Sequence, residues 1–577
     1  IGSAFGYPDT LSAYLSVVLL IGIYLFDKVK STELIRVIIL IANYVILICL
    51  FGTQSRGGII TFSIVIIVLL IFNWKAWIKN KTLPLIICQL IIGGGIGVLF
   101  LGSIIADDYF RAWGLILIGI TVLIGINYLF QRYINKGHKA ENYFKAIAIP
   151  ALILTFLYGI TKSGIIAYNL LGRIVNLNVN DIDIYHRVIF YKDAIKLFLS
   201  SPLIGYGGGA WEAMYKTARS LPYYTTQVHN NILEIALESG LLGLLPFLGV
   251  SLLLIFKSLF AKKNRVLHLY GIVALGLFIH GIMDFDFSYK AIGIIYWSML
   301  GAISGSIKLN ELKKGAFKPI KLLIISFLII TAVFILCNCS LILSIYYNDK
   351  IVDAQKQGDL DLMLKYAEKA ARLNPFAERT HMNIANIYFE KYIRSVDVEF
   401  MDKALEHVDY AIKYDRYQSD WYSTKANLLA FVGDVKAAEY YQKAISINKY
   451  DGSEYADAAN IELLLAQNLL DKGNVVDAKR HLLQALEIEK MAERQEKEVP
   501  KNYPWRTEWR LKHPKLTKTI GYVYLYLGDM EKAREYFETS KKYNEYPMDW
   551  AEVLSYGYKI EAYNEDVINE VYRVQKK

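Results

Sequence analysis

The sequence predicts an all-α protein in two parts, a polytopic α-helical membrane domain followed by an α-solenoid. Three observations carry this expectation. From residue 11 to about 347 the chain is a succession of apolar runs, each close to the ~20 residues a helix needs to cross a bilayer. Beyond about residue 350 it becomes charged and rich in Ala and Tyr. Within that second part, five stretches align with one another, most opening on Gly and each carrying small or apolar residues seven apart. The expected domains are 1–347 in the membrane and 348–577 beyond it.

The mean hydropathy of +0.28 averages across this break and describes neither half. Ten candidate spans are read at about 11–27, 33–51, 57–73, 84–105, 112–130, 143–165, 231–257, 267–283, 289–307 and 319–347. The net charge of +10 gathers in short loops between them, which is the pattern of orientation in a membrane rather than of nucleic-acid binding. Cys49, Cys88, Cys337 and Cys339 all lie in apolar segments, so neither a disulfide framework nor a thiolate zinc site is supported. The chain opens on Ile1, and the expectation is a trimmed N-terminus with earlier spans missing.

Loop charge alternates along the spans. The loops after the first, third, fifth, seventh and ninth hold Lys28 and Lys30, Lys75 and Lys79, Arg132 and Lys136, Lys262 and Arg265, and Lys313 and Lys314. These are read as cytoplasmic. "ADDYFR" (106–111) and "MDFDFSYK" (283–290) are acidic or nearly balanced and fall outside, as does the longest loop, 166–230. So does the loop at 52–58, whose one charge is Arg56. A charge inside a bilayer costs roughly 2.5–3.5 kcal/mol on insertion scales and is a functional suspect. Arg56 is either an arginine snorkelling to the headgroups or a cation fixed at the outer leaflet for an anionic group.

The long outer loop holds an apolar pattern at helical spacing from Tyr185 to Leu199, read as an amphipathic helix near the membrane. "SSPLIGYGGGAWE" reads as a turn and flexible loop, and Asn230 or Asn231 as the cap of the next span. "GYGGG" lacks the preceding strand that a dinucleotide loop requires.

Four motifs stand in order: "SRGG" at the outer end of a span, "HRVIFYKDAIKLFL", the turn "PLIGYG", and "HNNILEIALESG" opening the next helix. In this the chain resembles the O-antigen ligase and polymerase superfamily, over roughly residues 50–247. The resemblance implies a membrane-embedded glycosyltransferase. Such an enzyme takes a glycan from undecaprenyl pyrophosphate at the outer leaflet and passes it to an acceptor hydroxyl. By motif position Arg56 and Arg187 would bind the donor pyrophosphate and His229 would be the catalytic residue beside the acceptor. The resemblance further implies inversion by one direct displacement.

The residue types suit that chemistry. A guanidinium is permanently charged and grips phosphate oxygens with a planar fork of donors. Two of them could clamp a pyrophosphate and stabilise charge as its bond to the sugar breaks. A histidine can accept or orient the proton of the incoming hydroxyl. Taken singly, His229 reads as a polar interfacial residue and Arg187 as a solvated helix residue. His186 and Glu238 are secondary candidates; Glu238 and Gly240 read first as fixing helix packing, with orientation of His229 the lesser reading of Glu238. Asp181 and Asp183 form a "DID" pair of metal-binding type, but arginines can neutralise the charge here, so no metal or other cofactor is expected. Lys192 and Arg219 read as solvated surface, with assistance to phosphate as the other reading.

In the second part, "GDLDLMLKYAEKAARLNP", "MDKALEHVDYAIKYD", "GDVKAAEYYQKAISIN", "GNVVDAKRHLLQALEIE" and "GDMEKAREYFETSKKYN" resemble tetratricopeptide repeats: a Gly turn, then a helix whose small residues allow close packing. The leading helix of the first is expected to continue from the last span. Steps of 41, 33, 41 and 55 residues mark insertions. Trp505 and Trp509 lie in one, where they would stack on sugars or pin their own loop.

The expected activity is transfer of a glycan from undecaprenyl pyrophosphate to a protein or other envelope acceptor in a bacterial plasma membrane, with the repeats extracytoplasmic and docking the acceptor. The alternatives are a polymerase of lipid-linked repeat units and a non-catalytic scaffold that assembles an envelope complex through its repeats. A passive spacer remains a further reading of the repeats.

Overall fold

A computed structural model describes residues 5–29, 33–135, 182–261, 264–306, 320–501, 503, 511 and 513–541. The candidate span at 143–165, Asp181, Trp505 and Trp509 lie outside the described residues. Those residues form helices and turns, with no strand among them. They fall into two compact units, one of Ile1–Glu212 with Thr225–Glu311 and one of Ala213–Tyr224 with Leu312–Lys577. The helix that the sequence reads as the last span therefore packs with the repeats.

The first unit holds α1 (Pro8–Lys28), α2 (Glu33–Gly52), α3 (Arg56–Lys79), α4 (Leu83–Ile105), α5 (Tyr109–Asn135), α6 (Ile182–Ser200), α8 (Asn231–Leu259), α9 (Arg265–Met283) and α10 (Lys290–Ser306); α7 (Ala210–Ala218) begins in it. Eight helices among the described residues are long and apolar enough to cross a membrane, and the chain is a multi-pass membrane protein. The ninth expected span is α10, a helix of 17 residues.

Helix α9 is the hub, packed against α1, α3, α8 and α10. Small residues permit this: a Cβ at Gly276 would lie 3.2 Å from Val65, and one at Gly271 would strike the Ser258 hydroxyl. Close backbone approach of this kind is how helices associate in lipid. The core around the hub includes Ile23, Phe26, Val65, Leu69, Trp77, Ile272, Val273 and Tyr296.

Polar groups lock both ends of α9. At its start Arg265 bonds Asp27 at 2.5 Å and Asn73 at 3.0 Å, while Asn80 and Thr82 donate to the same aspartate. That end carries the lysine-rich loops. The other end, about 28 Å away at 1.5 Å per residue, carries Asp284.

The described residues of the second unit form a stack of five helical hairpins. Its first helix, α11 (Ile320–Lys356), is 37 residues long. Phe327, Ile330, Phe334 and Leu336 are exposed around its apolar stretch, which leaves lipid to cover them. Its C-terminal turns pair with α12 (Leu360–Leu373). The other pairs are α13 (Glu378–Ser395) with α14 (Val398–Tyr414), α15 (Ser419–Phe431) with α16 (Ala437–Ile447), α17 (Gly452–Asp471) with α18 (Val475–Glu498), and α19 (Pro514–Leu527) with α20 (Met530–Lys541). Ala370, Ala404, Ala411, Ala437, Ala444, Ala478 and Ala485 are fully buried between helices.

Gly358, Gly433, Gly473 and Gly528 make the hairpin turns at positive φ. The turn after α13 has Val396 at φ +58 instead. An L-residue pays about 1–2 kcal/mol in this conformation, and glycine's own entropic penalty of roughly 0.5–1 kcal/mol offsets part of that. Val396→Gly is expected to raise stability by about 0.5–1 kcal/mol, read as a higher Tm.

Between α13 and α14, His381 and His407 face each other through Nδ1 at 3.0 Å, stacked among Tyr388, Tyr410 and Tyr414. Burial, then the neighbouring His381, push the His407 pKa from 6.5 to about 4 against the pull of Glu406. A histidine with a depressed folded pKa binds fewer protons folded than unfolded, so stability falls as pH drops from about 6.5 toward about 4. The Tm of the repeats is expected to decline over that window, and less steeply in His407→Gln.

Candidate active site

At the C-terminal end of α9 the backbone turns through Asp284, whose amide donates to the His280 carbonyl. A carboxylate at a helix C-terminus is disfavoured by the helix dipole, so it needs partners, and it has four. Oδ1 accepts from the Phe285 amide at 2.9 Å and faces His229 Nδ1 at 3.1 Å. Oδ2 accepts from the Tyr7 hydroxyl at 3.0 Å and from Arg187 Nη2 at 3.3 Å. The carboxylate is almost wholly buried. Burial would raise its pKa, but the His229 hydrogen bond and the Arg187 charge outweigh it and hold Asp284 well below the usual carboxylate range.

Helix α6 brings Arg187 to this point. Its Nη1 donates to the Met283 carbonyl at 2.6 Å, and Nη2 also meets Asp9 at 3.4 Å. This leaves the Nε–H and one N–H of Nη1 uncommitted. Burial would lower the guanidinium pKa, but Asp284, Tyr7 and Asp9 together raise it. Burial, then the two aspartates, likewise push the Tyr7 phenol upward.

His229 lies just before α8 with φ +60, a left-handed conformation uncommon for a non-glycine residue and often functional. The Tyr191 hydroxyl donates to its carbonyl at 2.7 Å. Asn230 then caps α8, accepting from the Ile232 and Leu233 amides at 2.9 and 3.1 Å. Phe190 and Phe285 flank the imidazole, with centroids 6.1 and 4.8 Å away. Nδ1 is engaged and Nε2 is left to act.

Arg56 is the first residue of α3, half-buried, after the cap Ser55, which accepts from the Gly58 amide. The next residue, Gly57, faces His280 and Met283 of α9. Beneath, Asp286 holds His280 Nδ1 and accepts from Thr10 at 3.2 Å, while Ser12 lies 3.5 Å from His280 Nε2.

The other expected residues sit differently. His186 is buried, its ring stacked on Phe190. Glu238 does not orient His229; its Oε1 accepts from the Gly209 amide at 2.8 Å, and the carboxylate on His229 is Asp284. Lys192 is exposed, whereas Arg219 is buried in the second unit and is not solvated surface.

"SSPLIGYGGG" is likewise an ordered element. Helix α8 opens at Gly240, with φ 60 and ψ −164. The Leu241 and Leu242 amides donate to the Pro202 and Leu203 carbonyls, while the Tyr206 and Gly207 amides donate to the Leu237 and Glu238 carbonyls. The loop thus replaces both helical bonds that the opening removes, as backbone near lipid requires. A Cβ on Gly240 would lie 2.3 Å from the Leu203 carbonyl and one on Gly205 2.5 Å from that of Leu237.

Sequence reasoning missed Asp9 and Asp284. The signal was present, since both stand at the ends of spans, where a charge is as conspicuous as Arg56.

Comparison with known proteins adds a family to this geometry. Residues 41–248 match the family model described as O-antigen ligase, and residues 519–546 match a tetratricopeptide repeat. Arg56, Arg187 and His229 fall inside the first match; Asp9 and Asp284 fall outside it. No curated protein matches the chain. Among solved structures, MamA is 15% identical over 36% of this chain and 97% of its own, with TM-score 0.24. YrrB, a tetratricopeptide protein, is 17% identical over 34% and 82%, with TM-score 0.21. The chain thus carries a region similar to O-antigen ligases, a glycosyltransferase-like family, ahead of an array with tetratricopeptide likeness.

Proposed function

We propose that the protein transfers a glycan from undecaprenyl pyrophosphate, at the outer leaflet of a bacterial plasma membrane, to a hydroxyl of a protein or other envelope acceptor. The observation that carries this reading is the sharing of Asp284 by His229 and Arg187, the latter two inside the region similar to O-antigen ligases.

Asp284 engages His229 Nδ1, which favours the tautomer whose Nε2 lone pair faces outward. As the acceptor oxygen attacks the anomeric carbon, Nε2 takes the hydroxyl proton. The bond between that carbon and the pyrophosphate oxygen breaks, and the electron pair leaves with the lipid. Arg56 and the free N–H groups of Arg187 stabilise the departing charge, a role that requires no metal. One displacement inverts the anomeric carbon, so an α-linked donor gives a β-linked product.

Loop charge supports an extracytoplasmic site, and the four helices α8 to α11 between the outer loop and the repeats return the chain to the same side. There the array is free to dock a macromolecular acceptor. Purified protein reconstituted with polyprenyl-pyrophosphate-linked oligosaccharide and envelope extract tests the reading by mass spectrometry. Single transfers onto a non-lipid acceptor support it, a ladder of longer lipid-linked glycans replaces it with a polymerase, and unmodified products overturn both.

A further inference from the structure

The repeat array already holds a peptide. Residues 213–224 come from the outer loop of the membrane domain, yet they pack within the second unit. Arg219 is buried there, its guanidinium donating to the Tyr223 carbonyl and to Asn448 Oδ1, both at 2.7 Å, and lying over the Tyr450 ring. The Tyr450 hydroxyl donates to the Ser220 carbonyl at 2.7 Å, and the Tyr503 hydroxyl to the Pro222 carbonyl at 3.0 Å.

This is recognition of a peptide, the last turns of α7 and the bends that follow them. Two tyrosines read alternate carbonyls, and one arginine enters a buried polar seat. Asn448 ends α16 and Asp451 caps α17, with an Asn448–Asp451 hydrogen bond at 3.1 Å that fixes the seat. Asn448, Tyr450 and Tyr503 are each at most 5% exposed, so the seat is built into the array rather than lying on its surface. Neither a transfer reaction nor a docked acceptor calls for this arrangement.

We propose that the segment 213–224 is the resident ligand of the repeat array, a clasp that fastens the array to the loop leading into His229. Only residues 225–228 separate the clasp from His229 along the chain. The clasp's effect on transfer rests on the function proposed above; its existence does not.

Trypsin cuts after arginine, and Arg219 reports on the clasp directly. Full-length protein in nanodiscs should resist cleavage after Arg219. Tyr450→Phe/Tyr503→Phe, which removes only the two hydroxyls, and Asn448→Ala should each be cut there at least tenfold faster, with transfer at least tenfold slower. His229→Ala should lose transfer yet keep Arg219 protected, separating the two proposals. Wild-type protection of Arg219 in all the clasp variants overturns the clasp; rapid cutting with unchanged transfer overturns its effect on transfer.

Discussion

Glycan transfer by His229→Ala protein is expected to fall by about 10²–10⁴-fold, the range that positioned proton transfer supplies, while the protein remains folded and inserted. His229 has little structural work to lose. Its side chain makes one hydrogen bond, to Asp284, and the contact that fixes its backbone, from Tyr191, goes to the carbonyl and survives the change. Asp284→Asn should approach the same loss in rate, because an amide cannot enforce the tautomer that a carboxylate does. Asp284→Ala should cost stability as well, on the order of 3–5 kcal/mol, since it leaves buried charge without its partner. Steady-state rates on a lipid-linked donor, with thermal unfolding measured alongside, separate these outcomes.

Gly240→Ala is expected to disable the protein by another route, with a destabilisation of about 3 kcal/mol or more. Only glycine tolerates its backbone conformation at small cost, and the added carbon would collide with backbone rather than with a side chain that could move away. The loop at 202–207 would be driven off, stranding both pairs of backbone groups it now satisfies. Gly249→Ala is the internal control: it lies in the same helix with nothing within 4 Å of the added carbon, so it should be neutral or slightly stabilising. A Gly240→Ala protein with wild-type Tm would remove this account of the helix opening.

Much of the architecture was legible because it is local. Apolar runs, lysine alternation and small residues seven apart are properties of neighbouring positions, and they anticipate the helices of the membrane unit and the five hairpins. The turn at Val396 escaped because nothing in a valine announces a left-handed turn. Arg56, Arg187 and His229 stood out as motif members. Their partners did not, because Tyr7 and Asp284 are 277 positions apart and Arg187 and Asp9 178 apart, and no periodicity spans such distances. The lesser reading of Glu238, as an orienter of His229, fails for a related reason. Reading α8 as one uninterrupted helix hides the opening at Gly240 that turns Glu238 toward Gly209.

The most direct test is to measure donor affinity and turnover separately in the same reconstituted protein, with polyprenyl-pyrophosphate glycan as the probe. The account predicts that Arg56→Ala and Arg187→Ala each weaken donor binding at least tenfold. His229→Ala should bind the donor within about twofold of wild type and transfer almost nothing. Undiminished donor binding in both arginine variants, or wild-type turnover without His229, would contradict it.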